Sequence, residues 1–259
     1  MGMAQVLAVV NQKGGVGKTT TVINLAAILA AKGQKVLVID MDPQANATSG
    51  LGFDKNNLSK TIYDVLINHE PIRNVIYDSG RKSLHICPAN INLVGAEVEL
   101  VDVVSRETVL KMAIQDIVDE YQIVLIDCPP SLGLLTVNAL TAANGVLVPI
   151  QSEYFALEGL TQLMETVSLI KRGLNPSLSI FGVIVTMFDA RTQLSHQVAS
   201  EVRRYFGDKV FRTIIPRNVR LSEAPSYGKA IMEYDPKSKG AESYDALARE
   251  VIMRIGGLY

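Results

Sequence analysis

Apolar residues in this chain fall into two spacings. Short unbroken runs occur at Gln5–Val10, Lys35–Asp40, Leu84–Cys87, Ile123–Asp127, Val146–Ile150 and Ile180–Thr186. Runs of that length, rich in Val, Ile and Leu, predict parallel strands covered on both faces. Between them, apolar positions recur with the helical period. Leu110, Ile114, Ile117, Val118 and Tyr121 make one such stripe, and Leu160, Leu163, Met164, Val167 and Ile170 make a second. Tyr244, Leu247, Ala248, Val251, Ile252 and Ile255 make a third. Thr20 to Lys32 is rich in helix formers and stops at Gly33, which predicts another helix. Strands alternating with helices predict an α/β fold: three layers, with a mostly parallel twisted sheet and helices on both faces. The segment from Phe53 to Lys82 is more polar and less periodic, and reads as a surface excursion. Residues 1–259 are expected to form a single domain.

Composition narrows the function classes. The chain is 48% hydrophobic with a net charge of −1, so overall charge makes no case for nucleic acid or membrane. No apolar run reaches the ~18 residues of a membrane span. The N-terminus carries no basic stretch ahead of an apolar signal core, so a cytoplasmic location is expected. Cys87 and Cys128 are too few for a disulfide or metal framework. Charge is nevertheless segregated. From Arg191 to Lys239 there are ten Lys/Arg against five Asp/Glu, a local excess of +5. Such a concentration suits a polyanion, although each basic residue taken singly could be an ordinary solvated side chain.

The sharpest chemical signal is Lys13-Gly14-Gly15-Val16-Gly17-Lys18-Thr19-Thr20, between the first strand and the first helix. Strand, glycine loop and helix N-terminus in series make an anion site, because free backbone N–H groups and the helix dipole converge on a phosphate. Gly14, Gly15 and Gly17 allow close backbone approach. Lys18 would reach the β/γ-phosphates, and the Thr19 hydroxyl would ligate Mg²⁺. Lys13 stands where an ordinary phosphate loop has its first glycine.

Two strands end in acids, where parallel sheets bind ligands. Asp127, before Cys128-Pro129-Pro130, sits where a magnesium-holding carboxylate would act through water. The alternative is an aspartate capping the next turn. Asp40 and Asp42, in Asp40-Met41-Asp42-Pro43-Gln44, end the second strand. For Asp42 the alternative is an Asx turn before Pro43.

The double-lysine loop resembles the deviant Walker A motif of the ParA/MinD family of P-loop ATPases. The resemblance implies ATP and Mg²⁺ as cofactors, bound by Lys13 through Thr20. It implies that Lys13 reaches the phosphates of a second subunit in an ATP-dependent homodimer, and that Asp42 orients the attacking water. Asp40 would lie near the metal. Pro216 and Asn218, in Ile214–Pro225, are the implied adenine contacts. The stretch Ser152–Gly159 matches a segment that would line the dimer interface, or would be a plain connection. Phe188–Thr192 and Pro216–Pro225 extend the likeness to the ParA, or Soj, partition ATPases. That implies non-specific binding of double-stranded DNA through Arg191, Arg220 and Arg217. It also implies a nucleoid-associated location and a ParB-like centromere-binding partner that stimulates hydrolysis. A MinD-like membrane-cycling ATPase is the alternative, but the tail from Arg249 to Tyr259 has few bases for lipid, so no membrane binding is expected. A reductase like the nitrogenase iron protein would need cluster cysteines in a glycine-flanked setting that Cys87 and Cys128 lack.

Overall fold

Strand ends meet along one edge of a single sheet, and that edge organises the molecule. The computed structural model describes residues 4–153 and 158–257. Its strands are β1 (Gln5–Val9), β2 (Val36–Asp40), β3 (Tyr77–Arg81), β4 (Leu84–Cys87), β5 (Ile123–Asp127), β6 (Gly145–Gln151) and β7 (Ser179–Thr186). They lie in the order β3-β4-β2-β5-β1-β6-β7. All neighbours are parallel except β3 with β4. Every residue of β2, β5 and β6 is buried, which is what continuous apolar runs require of central strands. Gly145 opens β6 because a Cβ there would lie 2.7 Å from Leu7 Cδ2 and 2.9 Å from Phe181 Cβ.

The helices, in chain order, are α1 (Lys18–Ala31), α2 (Asn46–Gly50), α3 (Ile62–Leu66), α4 (Leu93–Glu99), α5 (Val109–Ile114) and α6 (Leu134–Ala142). They continue with α7 (Glu158–Gly173), α8 (Gln193–Phe206), α9 (Val219–Glu223), α10 (Ile231–Tyr234) and α11 (Lys239–Ile255). One apolar core lies between the sheet and α3 to α8. The other lies between the sheet and α1, α2 and α9 to α11. The fold is therefore the three-layer α/β arrangement expected from the alternation of runs. Each Leu, Ile or Val fully buried in these layers contributes about 1.5–3 kcal/mol.

Two expectations change. The stripe from Leu110 to Tyr121 does not form one helix. α5 stops at Ile114, and a 3₁₀ turn at Val118–Glu120 leads to an extended Tyr121. The apolar residues are buried as the stripe implied, but the chain must turn there to enter β5 at Ile123. The segment Phe53 to Lys82 is also more than a surface excursion. It buries Ile62, Val65 and Leu66 of α3, and its end pairs as the antiparallel edge strand β3. Strand β3 escapes a reading by apolar runs because it is Tyr-Asp-Ser-Gly-Arg, half exposed and interrupted by a bulge.

Candidate functional site

Register places the acids. Asp127 pairs across the sheet with Val9 of β1 and with Asp40 of β2, so three strand ends converge where the glycine loop departs. The loop turns through Gly15 (φ 73°) and Gly17 (φ 89°), a region that L side chains rarely occupy. Its entrance is pinned by Asn11, which donates to the Pro149 carbonyl at 2.7 Å and accepts the Lys13 N–H at 3.0 Å. Its exit is pinned by Thr186, whose hydroxyl donates to the Val16 carbonyl at 2.8 Å. The loop is thus held from β6 and β7, which is information that no local motif contains.

Lys18 is 6% exposed, and its ammonium donates to the Lys13 carbonyl at 3.4 Å. Burial pulls its pKa down, while Asp127 and Asp42 act in the opposite sense. Asp127 is fully buried and neither carboxylate oxygen has a hydrogen-bond partner. Burial, and then the charge of Asp40, push its pKa well above the carboxylate range. An unsatisfied buried carboxylate is costly, so this position is suited to a cation and ordered water. Among the described residues no group of three His, Cys, Asp or Glu could hold a metal by itself. A magnesium ion here therefore fits as one that takes most of its oxygens from a phosphate ligand and water, with Thr19 and Asp127 beside it.

Asp40 is differently employed. One oxygen accepts the Thr48 N–H at 2.9 Å and hydroxyl at 2.7 Å, and the other accepts the Asp42 N–H at 3.1 Å. The Thr48 hydroxyl also accepts the Ala89 N–H at 3.0 Å. Asp40 therefore braces the loop from β2 to α2, while its register partner is Asp127. Its pKa rises to about 6, chiefly through burial. Asp42 does form an Asx turn, with Oδ1 accepting the Gln44 N–H at 2.9 Å. That turn engages one oxygen and leaves Oδ2 for another partner. Ala45, just beyond, holds φ at 53° while fully buried, so the loop carries backbone strain beside Asp42.

A pocket of about 350 Å³ adjoins the loop. Gly17 and Thr20 form one side, and Pro216 and Asn218 the other. Thr186, Met187 and Tyr244 also line it, and none of these three carried a functional signal in the sequence. Met187 also sits at positive φ (50°) as the chain leaves β7. Asn218 Oδ1 accepts the Arg220 N–H at 2.9 Å as the cap of α9, which leaves its amide N–H groups for another partner.

Lys13 does not join Lys18. Its ammonium lies 3.3 Å from Glu153 Oε2. The other oxygen of Glu153 takes Gln151 at 2.5 Å and Arg217 at 3.4 Å. Glu153 belongs to the Ser152–Gly159 stretch expected at a dimer interface, but no role for the residue itself was expected. Tyr154–Leu157 of that stretch lie outside the described residues. The three arginines do not form one cluster of free charge. Arg191 is paired with Asp189 through contacts at 2.9 and 2.7 Å, which hold the Asp189 carboxyl well below its usual range. Arg220 lies 2.8 Å from Glu223 and 3.6 Å from Asp235. Arg191 and Arg217 share the lining of a shallow recess of about 310 Å³ with Phe188 and Pro216. Cys87 and Cys128 are both buried, one in β4 and one following β5.

Comparison with known proteins gives a consistent set. A family described as an AAA domain matches residues 4–180. The sporulation initiation inhibitor protein Soj of Bacillus subtilis is 55% identical over 249 residues, covering 96% of this chain and 98% of that protein. The chromosome partitioning protein ParA of Myxococcus xanthus is 54% identical over 252 residues, covering 97% and 89%. Among solved structures, cobyrinic acid a,c-diamide synthase from Mycobacterium smegmatis with bound ADP and magnesium superposes with a TM-score of 0.86 at 37% identity, over 99% of this chain and 97% of that one. The septum site-determining protein MinD of Pyrococcus horikoshii, complexed with Mg-ADP, gives 0.81 at 27% identity, over 99% and 98%.

Proposed function

The chain belongs to the Soj/ParA family of chromosome-partitioning P-loop ATPases, and from that premise we propose that it hydrolyses Mg-ATP as a dimer that holds DNA without sequence preference. In this reading residues 1–259 work as one ATPase domain. The observation that carries it is the division of labour within one loop. Lys18 is buried within the electrostatic reach of Asp127, whereas Lys13 turns away to pair with Glu153. A lysine held outside its own site fits an interaction in trans, as an arginine finger acts in other phosphoryl-transfer enzymes.

The residues divide as follows. Backbone N–H groups from Gly14 to Thr20 and the Lys18 ammonium hold the phosphates. Thr19 and Asp127 hold Mg²⁺, the latter through water. Asp42 Oδ2 orients the attacking water, and Asp40 with Thr48 keeps Asp42 in place. Pro216, Asn218 and Met187 enclose the adenine. When bound, magnesium would neutralise charge on the transferring phosphoryl group. Little more than an aligned water and charge neutralisation is needed for phosphoryl transfer, which suits a site with one free carboxylate.

Arg191, Arg217 and Arg220 supply the phosphate contacts to DNA, and a ParB-like partner accelerates hydrolysis on the nucleoid. The local excess of +5 supports the first of these. Such contacts position the protein without reading bases. Family membership supports the second, and the likeness to Soj at 55% identity against 27% for MinD favours DNA over a membrane as the surface. The test is retention on double-stranded DNA with ATP, with ADP and without nucleotide. Retention is expected with ATP alone, and equal retention in all three states would remove the reading.

A further inference from the structure

Two turns meet backbone to backbone beside α2. Gly52 (φ 98°) lies just beyond that helix, and Gly228 (φ 62°) ends the turn after α9. A Cβ on Gly228 would stand 2.7 Å from Gly52 Cα, so space and φ both require glycine there. Arg81, the last residue of edge strand β3, clamps the contact. Its Nη1 donates to the Leu51 carbonyl at 2.9 Å, and its Nη2 to the Gly228 carbonyl at 2.9 Å. Nε and Nη2 also form a fork on the Glu233 carboxylate, at 2.7 and 2.8 Å. A guanidinium that joins three separate segments uses a planar fork that lysine lacks. The side chain is 18% exposed, and it does not line the pocket beside the glycine loop.

Two of the clamped segments lead to Arg220. Helix α9, which carries it, runs straight into the turn Ala224–Tyr227 and then Gly228. Glu233 Oε2 also accepts the Ala230 N–H at 2.8 Å and so caps α10. That helix ends in Tyr234, whose hydroxyl donates to Glu223 Oε2 at 3.2 Å, and Asp235 follows it. Glu223 and Asp235 are the two carboxylates beside Arg220. The third segment leads the other way. Leu51 closes α2, which begins at Asn46 just beyond Asp42 and contains the Thr48 bonded to Asp40. Pro225 Cβ lies 3.5 Å from where a Cβ on Gly50 would stand, so α2 packs on the turn after α9 directly. We propose that Arg81 is a positioning residue for DNA binding, which fixes Arg220 and its carboxylate partners against α2. A phosphate contact depends on where the guanidinium is presented, so a loosened α9 lowers affinity with every base retained. The proposal rests on the DNA reading above and adds the residue that ties the surface arginine to the loop carrying Asp42.

The full chain, Arg81→Ala, Arg220→Ala and the double variant are compared on a short random-sequence duplex with ATP, read by fluorescence anisotropy. Arg81→Ala should weaken DNA binding at least about fivefold. In the Arg220→Ala background the same change should weaken it less than about twofold further, because Arg81 acts through Arg220. Arg81→Lys keeps the charge without the fork and should bind as weakly as Arg81→Ala. Glu233→Gln alters the partner instead and should also weaken DNA binding, with every base in place. ATP affinity and ATP-driven dimerisation should match those of the parent in the Arg81 and Glu233 variants, and circular dichroism checks folding. Additive losses, or parent-like binding by Arg81→Lys, overturn the proposal, since either marks Arg81 as an independent phosphate contact. Equal weakening of ATP binding also overturns it, as the sign of a general structural role. If Arg220→Ala itself retains DNA, the DNA reading of α9 fails and the proposal falls with it. A loss in Arg220→Ala with none in Arg81→Ala removes the positioning role alone.

Discussion

Two charged regions of this molecule are built on opposite principles. At the strand ends, Lys18 and Asp127 are buried, and the Asp127 oxygens make no well-formed hydrogen bond. On the surface, Arg191, Arg217 and Arg220 are more than half exposed, and each lies beside a carboxylate. Burial makes the first region expensive to leave empty. Its pKa values are displaced and its geometry is fixed by strands in register, so a charged ligand finds a prepared site. The second region is inexpensive in either state. Exposed ion pairs contribute little and exchange partners readily, so these arginines can give up Asp189, Glu153 or Glu223 for a phosphate. On the proposed reading, nucleotide binding at a prepared site and reversible DNA binding at the surface follow from that difference. Lys13 stands between the two: it belongs to the loop in sequence but is paired on the surface like the arginines.

The largest expected effect is at the buried site. Lys18→Ala should abolish ATP binding and reduce hydrolysis by about 10³ or more, measured by filter binding and phosphate release. Lys13→Ala sharpens the comparison, because it should retain nucleotide affinity within a few-fold while losing ATP-driven dimerisation. Hydrolysis should fall by about 10³, the scale of a finger supplied in trans. Sedimentation with ATP checks the dimer, and equal loss of nucleotide binding in both lysine variants would erase the distinction between them.

Effects at the surface should be graded and salt-dependent. With Arg191, Arg217 and Arg220 contacting phosphate in each of two subunits, log K should fall against log salt with a slope of about −5.4. Arg191→Ala should reduce the slope to about −3.6 and leave the melting temperature unmoved. A slope unaffected by the substitution would show that Arg191 is an ordinary paired side chain.

The smallest effect is on stability and separates the regions by pH. Asp40 holds its proton up to about pH 6 in the folded chain, against about 4 when unfolded. Within that window the folded state binds more protons, so its stability falls as pH rises through it. Two pKa units are worth about 3 kcal/mol at most. Urea midpoints from pH 4 to 7 should show this decline, and Asp40→Asn should reduce it, the buried Asp127 carboxyl supplying the remainder. The exposed arginine pairs should add little to the slope in that window.

Much of the fold was legible because its signals are local. Apolar runs marked six strands, and the seventh, β3, was missed because an edge strand with one polar face leaves no such run. The helix read across Leu110 to Tyr121 had the right buried residues and the wrong continuity, since periodicity does not report where a chain must turn. In the site, Lys13 to Thr20, Asp42 and Asp127 were legible as motif and strand end. Glu153, Met187 and Thr186 were not, because each matters only through residues distant in the chain. Asp40 shows what a strand-end position leaves unsaid: beside Asp127 in register, it also braces the loop through hydrogen bonds to Thr48 and Asp42.

The sequence alone determined the alternating architecture, the phosphate loop and the presence of a second lysine, since all three are set by neighbouring residues and by spacing. Only the tertiary structure decided where those charges stand. Sheet register brought Asp127 beside Asp40, the end of β6 placed Glu153 against Lys13, and chain crossing to α9 closed the pocket with Pro216 and Asn218. The physical reason is that burial and charge pairing are properties of the assembled surroundings. One loop therefore holds one lysine inward and one outward, a difference its eight residues do not themselves encode.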